Sequence, residues 1–347
     1  MASASCETEI VVGCTRVARV HATHAQAAAR DWFGRRTLHE SDADLEVVKA
    51  LRAASGLTIS VVLPALNEQD TVGEICARLS SRLVEAGIVQ QLLVVDSGSE
   101  DDTATVATAA GASVAHVRDI LPELPVIGGK GEALWRSLAV ATGDLVVYLD
   151  SDVRNSDESF VLRLIEPLLR DPGLDFVKAF YERPLGSDNP IGGGRVTELV
   201  ARPLINLFYP ELGGFIQPLA GEYAARRRLL KRVPFFCGYA VEVGLLIDIL
   251  ETVGLDRMSQ VDLGERMHRN RPTAALGPMA FEIIKAVLTR VEVTGRAKFE
   301  GDLPEEFASI VENAIDPVEV KLQERPPMSG YPDGSSGGGS AGGGGVA

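Results

Sequence analysis

The chain has 347 residues, of which 46% are apolar and 24% charged, and carries a formal net charge of −14. This is the composition of a globular protein long enough for a full core, as one large domain or a domain with a smaller lobe. The acidic balance excludes a general nucleic-acid binder, and it leaves an anionic substrate only a local cationic pocket to occupy.

Residues 1–56 are Ala-rich and charged, and are predicted to form a helical segment interrupted near Gly34. Trp32, Phe33 and Leu38 are its candidates for docking on the main body. The amino terminus has no basic stretch followed by a long apolar one, so no secretory signal is expected. A β/α alternation then begins. Strands are expected at 59–63, 92–95, 113–117 and 145–149, with helices at 71–85, 103–110 and 131–141 between and after them. This alternation predicts an α/β fold with a doubly wound, mostly parallel sheet, placed at residues 57–160. Beyond it come a helix at 160–169, a strand at 176–181, the loop SDNPIGGGRVTE, and helices at 241–250 and 281–291. Residues 161–325 read as a lobe that completes the site, and the Gly/Ser-rich stretch 326–347 as a disordered tail. Asp144, Glu242 and Asp248 break the candidate apolar runs, so no membrane span is expected and the expected location is cytoplasmic. Cys6, Cys14, Cys76 and Cys237 show neither a C-x-x-C pair nor zinc spacing, and read as reduced thiols or core residues.

In a parallel sheet the loops at the strand carboxyl ends gather on one side, where ligands bind. Here each such loop is polar. The run DLVVYLDSD ends in Asp150-Ser151-Asp152, two carboxylates one residue apart. Holding them together is costly unless a cation intervenes, and a hard divalent ion shared with a substrate phosphate is the common solution; a solvated Asp-rich turn is the alternative. Pro64-Ala65-Leu66-Asn67-Glu68 follows the first strand. Asp96-Ser97-Gly98-Ser99 follows the second, where a helix cap is the plainer use. Gly128-Gly129-Lys130-Gly131-Glu132 opens a helix, whose free N–H groups and lysine suit a phosphate. It is neither a P-loop nor a dinucleotide fingerprint, which argues against a Rossmann dehydrogenase. Gly194-Arg195-Val196-Thr197 can wrap a small anion, with Arg195 as a bidentate donor, or can be a solvated loop. Glu242, in an apolar helix start, needs an ion-pair partner or a function. The basic run Arg226, Arg227, Arg228, Lys231 and Arg232 reads as a solvated helix face.

VVLPALNE, VVDSGSEDDT, GGKGEALW and YLDSD, in that order and spacing, resemble the nucleotide-sugar half of GT-A-type glycosyltransferases. GGGRVTELVARPLINLFYPEL, PLAGEYAARRRLLKRVPF, GYAVEVGLLID and QVDLGERMHRNRP narrow the resemblance to the actinobacterial glucosyl-3-phosphoglycerate synthase family, across most of residues 57–290. The resemblance implies a nucleotide site of Pro64, Ala65, Leu66, Glu68, Ser97, Lys130, Asp150 and Ser151. It implies a divalent metal, Mg2+ with Mn2+ also accepted, on Asp152 and His268. Gly194, Arg195 and Thr197 would bind 3-phosphoglycerate, with Arg266 and Asn270 reaching the acceptor or diphosphate. Glu242 and Tyr239 would face the donor glucose, and Asp152, Lys130, Glu242 and Arg195 would carry the chemistry. The implied reaction is retaining transfer of glucose from UDP-glucose to the 2-hydroxyl of 3-phosphoglycerate by a homodimer. The competing readings are a mannosyl- or lipid-phosphate transferase and a sugar-phosphate nucleotidyltransferase. The last lacks its Gly-rich loop after the first strand, and no residue stands out as a nucleophile.

Overall fold

The computed structural model describes residues 22–39, 43–182, 194–265, 273–311 and 314–331. In chain order the strands are β1 (Thr37–Leu38), β2 (Ile59–Ala65), β3 (Gln91–Asp96), β4 (Ser113–His116), β5 (Leu145–Tyr148), β6 (Phe176–Glu182), β7 (Tyr223–Arg226), β8 (Phe235–Phe236), β9 (Met258–Glu265), β10 (Glu306–Val311), β11 (Ala314–Glu319) and β12 (Glu324–Arg325). The α-helices are α1 (Ala22–Arg36), α2 (Leu45–Ser55), α3 (Val72–Leu79), α4 (Thr103–Ala109), α5 (Lys130–Val140), α6 (Glu158–Arg170), α7 (Arg202–Phe208), α8 (Arg227–Leu230), α9 (Val241–Val253) and α10 (Gly277–Val293).

Eight strands form one sheet in the order β1-β9-β6-β7-β5-β2-β3-β4. Every neighbouring pair is parallel except those of β7, which runs antiparallel to both β5 and β6. Helices cover both faces, so the central strands are continuous apolar runs without a wet side. Side chains alternate between two cores: Val61, Leu63, Leu145 and Val147 join one, while Val62, Val146 and Tyr148 join the other. Because β6, β7 and β9 belong to this same sheet, residues 161–325 extend the α/β core, and the expected boundary at 160 falls inside one layer.

The amino-terminal segment is anchored by Trp32, which is fully buried, stacks 4.5 Å from Phe215 and donates from its indole N–H to the Met258 carbonyl at 2.9 Å. Phe33 stays exposed, and Leu38 lies in β1, an edge strand parallel to β9 that the helical expectation omitted. The helix expected at 71–85 is α only over α3 and widens into a π-helical turn at Ser80–Val84. Helix α10 starts four residues earlier than expected, with a proline in its first turn where no N–H is needed.

Two expectations need correction. Arg226 is not on a solvated helix face: it ends β7, is buried, and donates to the carbonyls of Leu174 at 2.8 Å and Leu168 at 3.1 Å. The rest of that run is nearer the expected picture: Arg228 and Arg232 are exposed, with Arg228 bonded to Asp175, and Arg227 and Lys231 are half-buried. The tail also begins later than Pro326. The Pro326 carbonyl accepts from the Trp135 indole at 2.8 Å, Met328 is fully buried, and Tyr331 lies edge-on to Trp135 at 5.2 Å.

Candidate active site

The carboxyl ends of β2, β3 and β5 are tied into one rim. Ser151 donates from its hydroxyl to the Pro64 carbonyl at 2.7 Å, and Thr71 donates to the Ser151 carbonyl at 2.6 Å. The Ser97 amide donates to Ala65 at 2.9 Å, Asn67 N–H to Ser99 Oγ at 2.9 Å, and Glu68 N–H to Thr103 Oγ1 at 2.8 Å. Asn67 takes a left-handed φ of 56°, which its short polar side chain tolerates while accepting from Glu100 N–H at 2.9 Å. Asp96 is buried at the end of β3. Burial opposes its charge, but hydrogen bonds from Ser99 and His116 hold its carboxyl below the usual range. The loops read separately in the sequence are thus one cross-braced surface.

A charged cluster stands at its centre. Lys130, the first residue of α5, pairs with Asp150 past the end of β5 and with Glu242 in the first turn of α9, the latter at 2.8 Å. Burial works against the ammonium, yet the charges of Asp150 and Glu242 outweigh it and raise its pKa above the ordinary value. Glu242 is therefore both the ion-paired residue and a wall of the cavity. The register of β5 with β7 aligns Tyr148 with Tyr223, which brings Gly221 opposite Asp150. A methyl group at Gly221 would lie within 2.5 Å of both Asp150 oxygens and closer still to Lys130 Nζ, so a side chain there displaces the pair. Behind this wall lies Lys178, 1% exposed, donating to the Ala220 carbonyl at 2.8 Å beneath the ring of Tyr223.

A cavity of about 530 Å3 opens over the cluster. Its lining brings together Pro64, Ala65, Leu66, Glu68, Ser97, Lys130, Asp150, Ser151 and Asp152 from the rim with Gly194, Arg195 and Thr197 from the opposite side, and with Tyr239 and Glu242. Gly194 has a φ of 77° and its carbonyl accepts from Glu198 N–H at 3.0 Å, so the loop turns directly into the next helical segment. Thr197 is 2% exposed and Tyr239 is 45% exposed. Arg266, His268 and Asn270 lie outside the described residues. The lining also includes Val196 of the anion loop and Leu219, Gly221, Gly238, Leu276, Met279 and Ile283, the last six of which sequence reasoning missed. None carries chemistry of its own; only the LAGEY and GYAVE segments, which contain Leu219, Gly221 and Gly238, gave a signal.

Among the described residues no three His, Cys, Asp or Glu side chains gather as a metal site. The Asp152 carboxylate in the cavity lining nevertheless fits a hard divalent ion, which would complete its shell from a diphosphate and water. The arrangement suits a nucleoside diphosphate on one side and a second, smaller anion at Arg195 on the other.

An α/β sheet with this rim defines a GT-A-type glycosyltransferase, and the model of Glycosyl transferase family 2 matches residues 60–235. The chain is 50% identical over 296 residues to the glucosyl-3-phosphoglycerate synthase of Mycolicibacterium paratuberculosis, covering 82% of this chain and 87% of that protein. It superposes with a TM-score of 0.76 and 46% identity on the glucosyl-3-phosphoglycerate synthase of Mycobacterium tuberculosis solved with Mn2+, UDP-glucose and phosphoglyceric acid, covering 85% of this chain and 98% of that one. Mannosyl-3-phosphoglycerate synthase from Rubrobacter xylanophilus gives a TM-score of 0.81 at 41% identity, covering 87% and 99%. The chain belongs to the glucosyl-3-phosphoglycerate synthase family.

Proposed function

We infer that the protein transfers glucose from UDP-glucose to the 2-hydroxyl of 3-phosphoglycerate with retention of anomeric configuration. The observation that carries this reading is the single cavity holding both the nucleotide rim and the Gly194–Thr197 anion loop around the Lys130–Asp150–Glu242 cluster. Pro64, Ala65, Leu66, Glu68 and Ser97 cradle uridine, and Asp150 and Ser151 border it. Asp152, with His268, holds Mg2+ or Mn2+, which supplies Lewis-acid neutralisation of the diphosphate. Lys130, kept charged by its two carboxylates, donates to the diphosphate as negative charge builds on it. Glu242 and Tyr239 face the glucose. Arg195 grips the acceptor anion through a two-pronged bond, with Gly194 and Thr197 beside it, and Arg266 and Asn270 extend that grip.

The carboxylates of Asp150 and Glu242 are both engaged by Lys130. Neither is poised as a nucleophile, which supports a front-face route in which the departing diphosphate takes the acceptor proton. A trapped glucosyl-enzyme adduct would refute that route. The test of the whole reading is incubation with UDP-glucose and 3-phosphoglycerate, with Mg2+ and with chelator. Metal- and acceptor-dependent UDP release is expected; pyrophosphate production, or UDP release indifferent to acceptor, refutes it. The likeness to the mannosyl enzyme favours one second reading, use of a mannose donor, so GDP-mannose belongs in the same assay.

The protein also acts as a cytoplasmic homodimer in this reading. Ile310 and Ile315, 69% and 71% exposed, face each other across the β10–β11 hairpin, an apolar pair that a second copy would cover. Among the described residues no helix is long and apolar enough to cross a membrane. Light scattering of wild type against Ile310→Asp tests the dimer; a monomeric wild type refutes it.

A further inference from the structure

We propose that Arg325, near the carboxyl end of the chain, is a positioning residue for the donor site: it fixes the first turn of α5 and, through it, the Lys130 ammonium. Arg325 does not line the cavity. It acts on Glu132, two residues beyond Lys130 and 1% exposed. The Arg325 guanidinium grips that carboxylate as a fork, Nε to Oε2 at 2.7 Å and Nη2 to Oε1 at 2.8 Å. Arg136, one turn further along α5, donates to the same carboxylate at 2.6 Å, and Ile127 N–H does so at 3.3 Å. Burial penalises the Glu132 charge, yet these guanidiniums keep its pKa below the usual range.

The same two arginines hold the chain that leads into Lys130. Arg325 donates to the Pro125 carbonyl at 2.5 Å, and Arg136 donates to the carbonyls of Leu121 and Leu124, both at 2.9 Å. On the other side, α5 is pressed against β8 and Cys237. Glu132 N–H donates to the Cys237 carbonyl at 3.2 Å, and a methyl group at Gly131 would collide with the Phe236 carbonyl. Among the described residues strand β8 pairs only with β12, with Phe235 opposite Arg325. The Arg325 fork and the strand against which α5 packs therefore meet in one two-residue strand, β12, while Arg136 braces the turn from within α5.

This matters because the ammonium must meet a phosphate oxygen at hydrogen-bond distance, and displacement of such a group by about an ångström costs about 100-fold in rate. Lysine cannot substitute for the fork, since a point charge satisfies one carboxylate oxygen and gives up the two-pronged hold on the turn. The inference rests on the reading that Lys130 serves the donor diphosphate.

The experiment compares Arg325→Lys, Glu132→Gln, Met328→Ala and Lys130→Ala in the full chain, by calorimetric titration of UDP with Mn2+, by separate KM values for UDP-glucose and 3-phosphoglycerate, and by melting temperature. Arg325→Lys is expected to weaken UDP binding and raise the UDP-glucose KM by about tenfold, with the 3-phosphoglycerate KM unchanged. Glu132→Gln gives the same pattern by a second route should Arg325→Lys not fold. Met328→Ala, which loosens packing of the same carboxyl-terminal segment without touching the fork, lowers the melting temperature and leaves UDP affinity alone. Equal loss for donor and acceptor, or a UDP affinity that follows melting temperature across the set, overturns the positioning role. Lost UDP affinity in Lys130→Ala with none in Arg325→Lys or Glu132→Gln overturns it too. Unchanged affinity in Lys130→Ala overturns instead the donor-site reading beneath it.

Discussion

Lys130 Nζ lies 2.8 Å from Glu242 Oε1, which joins the helix that follows the glycine loop to the helix whose first turn walls the cavity beside Tyr239. One cation therefore answers to both Asp150 at the rim and Glu242 on the facing helix, which the proposed reading places beside the glucose. Replacing Glu242 by Gln removes the sugar-side charge and leaves Lys130 to Asp150. We expect kcat/KM for UDP-glucose to fall about 100-fold, equivalent to about 2.7 kcal/mol of transition-state stabilisation, while UDP affinity changes little. Titration of UDP beside steady-state kinetics checks this; parallel loss in both would contradict the sugar-side placement.

Gly221→Ala tests the closeness of β7 to the ion pair. The added methyl forces the Lys130 and Asp150 side chains apart without disturbing a strand, so the protein should melt within a few degrees of wild type. Turnover should drop at least about tenfold. Wild-type turnover in a folded Gly221→Ala protein would show that the pair tolerates displacement.

Arg195→Ala separates acceptor from donor. A charge-assisted bond to an anion contributes about 1.5–3 kcal/mol, so the 3-phosphoglycerate KM should rise about 10- to 100-fold with the UDP-glucose KM nearly constant. A matching rise in both constants would remove Arg195 from the acceptor site.

Lys178 gives a pH signature in stability. Burial pulls its pKa down to about 8 from the ordinary 10.5. Between those values the unfolded chain binds more protons than the folded one, so this residue's contribution to stability rises with pH across the window. Below about pH 8 the cost of its buried charge is present in full. Thermal melts of wild type and Lys178→Met at about pH 7.5 and about pH 9.5 should show the difference moving toward wild type by a few degrees. A difference constant across that range would place the titration elsewhere.

The rim was legible because strand and loop differ sharply in composition. Val, Ile and Leu runs end at Pro64, Asp96 and Asp150, and polar residues crowd the next few positions. Chain order alone then places those loops on one side of a parallel sheet. The roles at Arg195 and Thr197 needed the family resemblance, since an arginine after a run of glycines suits a solvated loop equally well. Strand β7 was hidden because its four residues run straight into RRLLKR, and its burial depends on carbonyls of Leu168 and Leu174 more than fifty residues away. Gly221 has no chemistry to read; its necessity is a distance. Arg325 and Glu132 stand 193 positions apart, and only the fold makes them a pair.

The reversed direction of β7 has a consequence for how this enzyme class can change. Strand β6 ends and β7 begins on the same rim, so Glu182 and Tyr223 both lie at the cavity side of the sheet. The segment between them, which carries Arg195 and Thr197, is an excursion with both feet planted beside the reaction. Ala201, Ile205, Tyr209, Leu212 and Phe215 pin its later part in the core, so side chains at 194–200 can be exchanged while every strand keeps its register. The wall of the cavity that carries Arg195 can thus change on an unaltered strand rim.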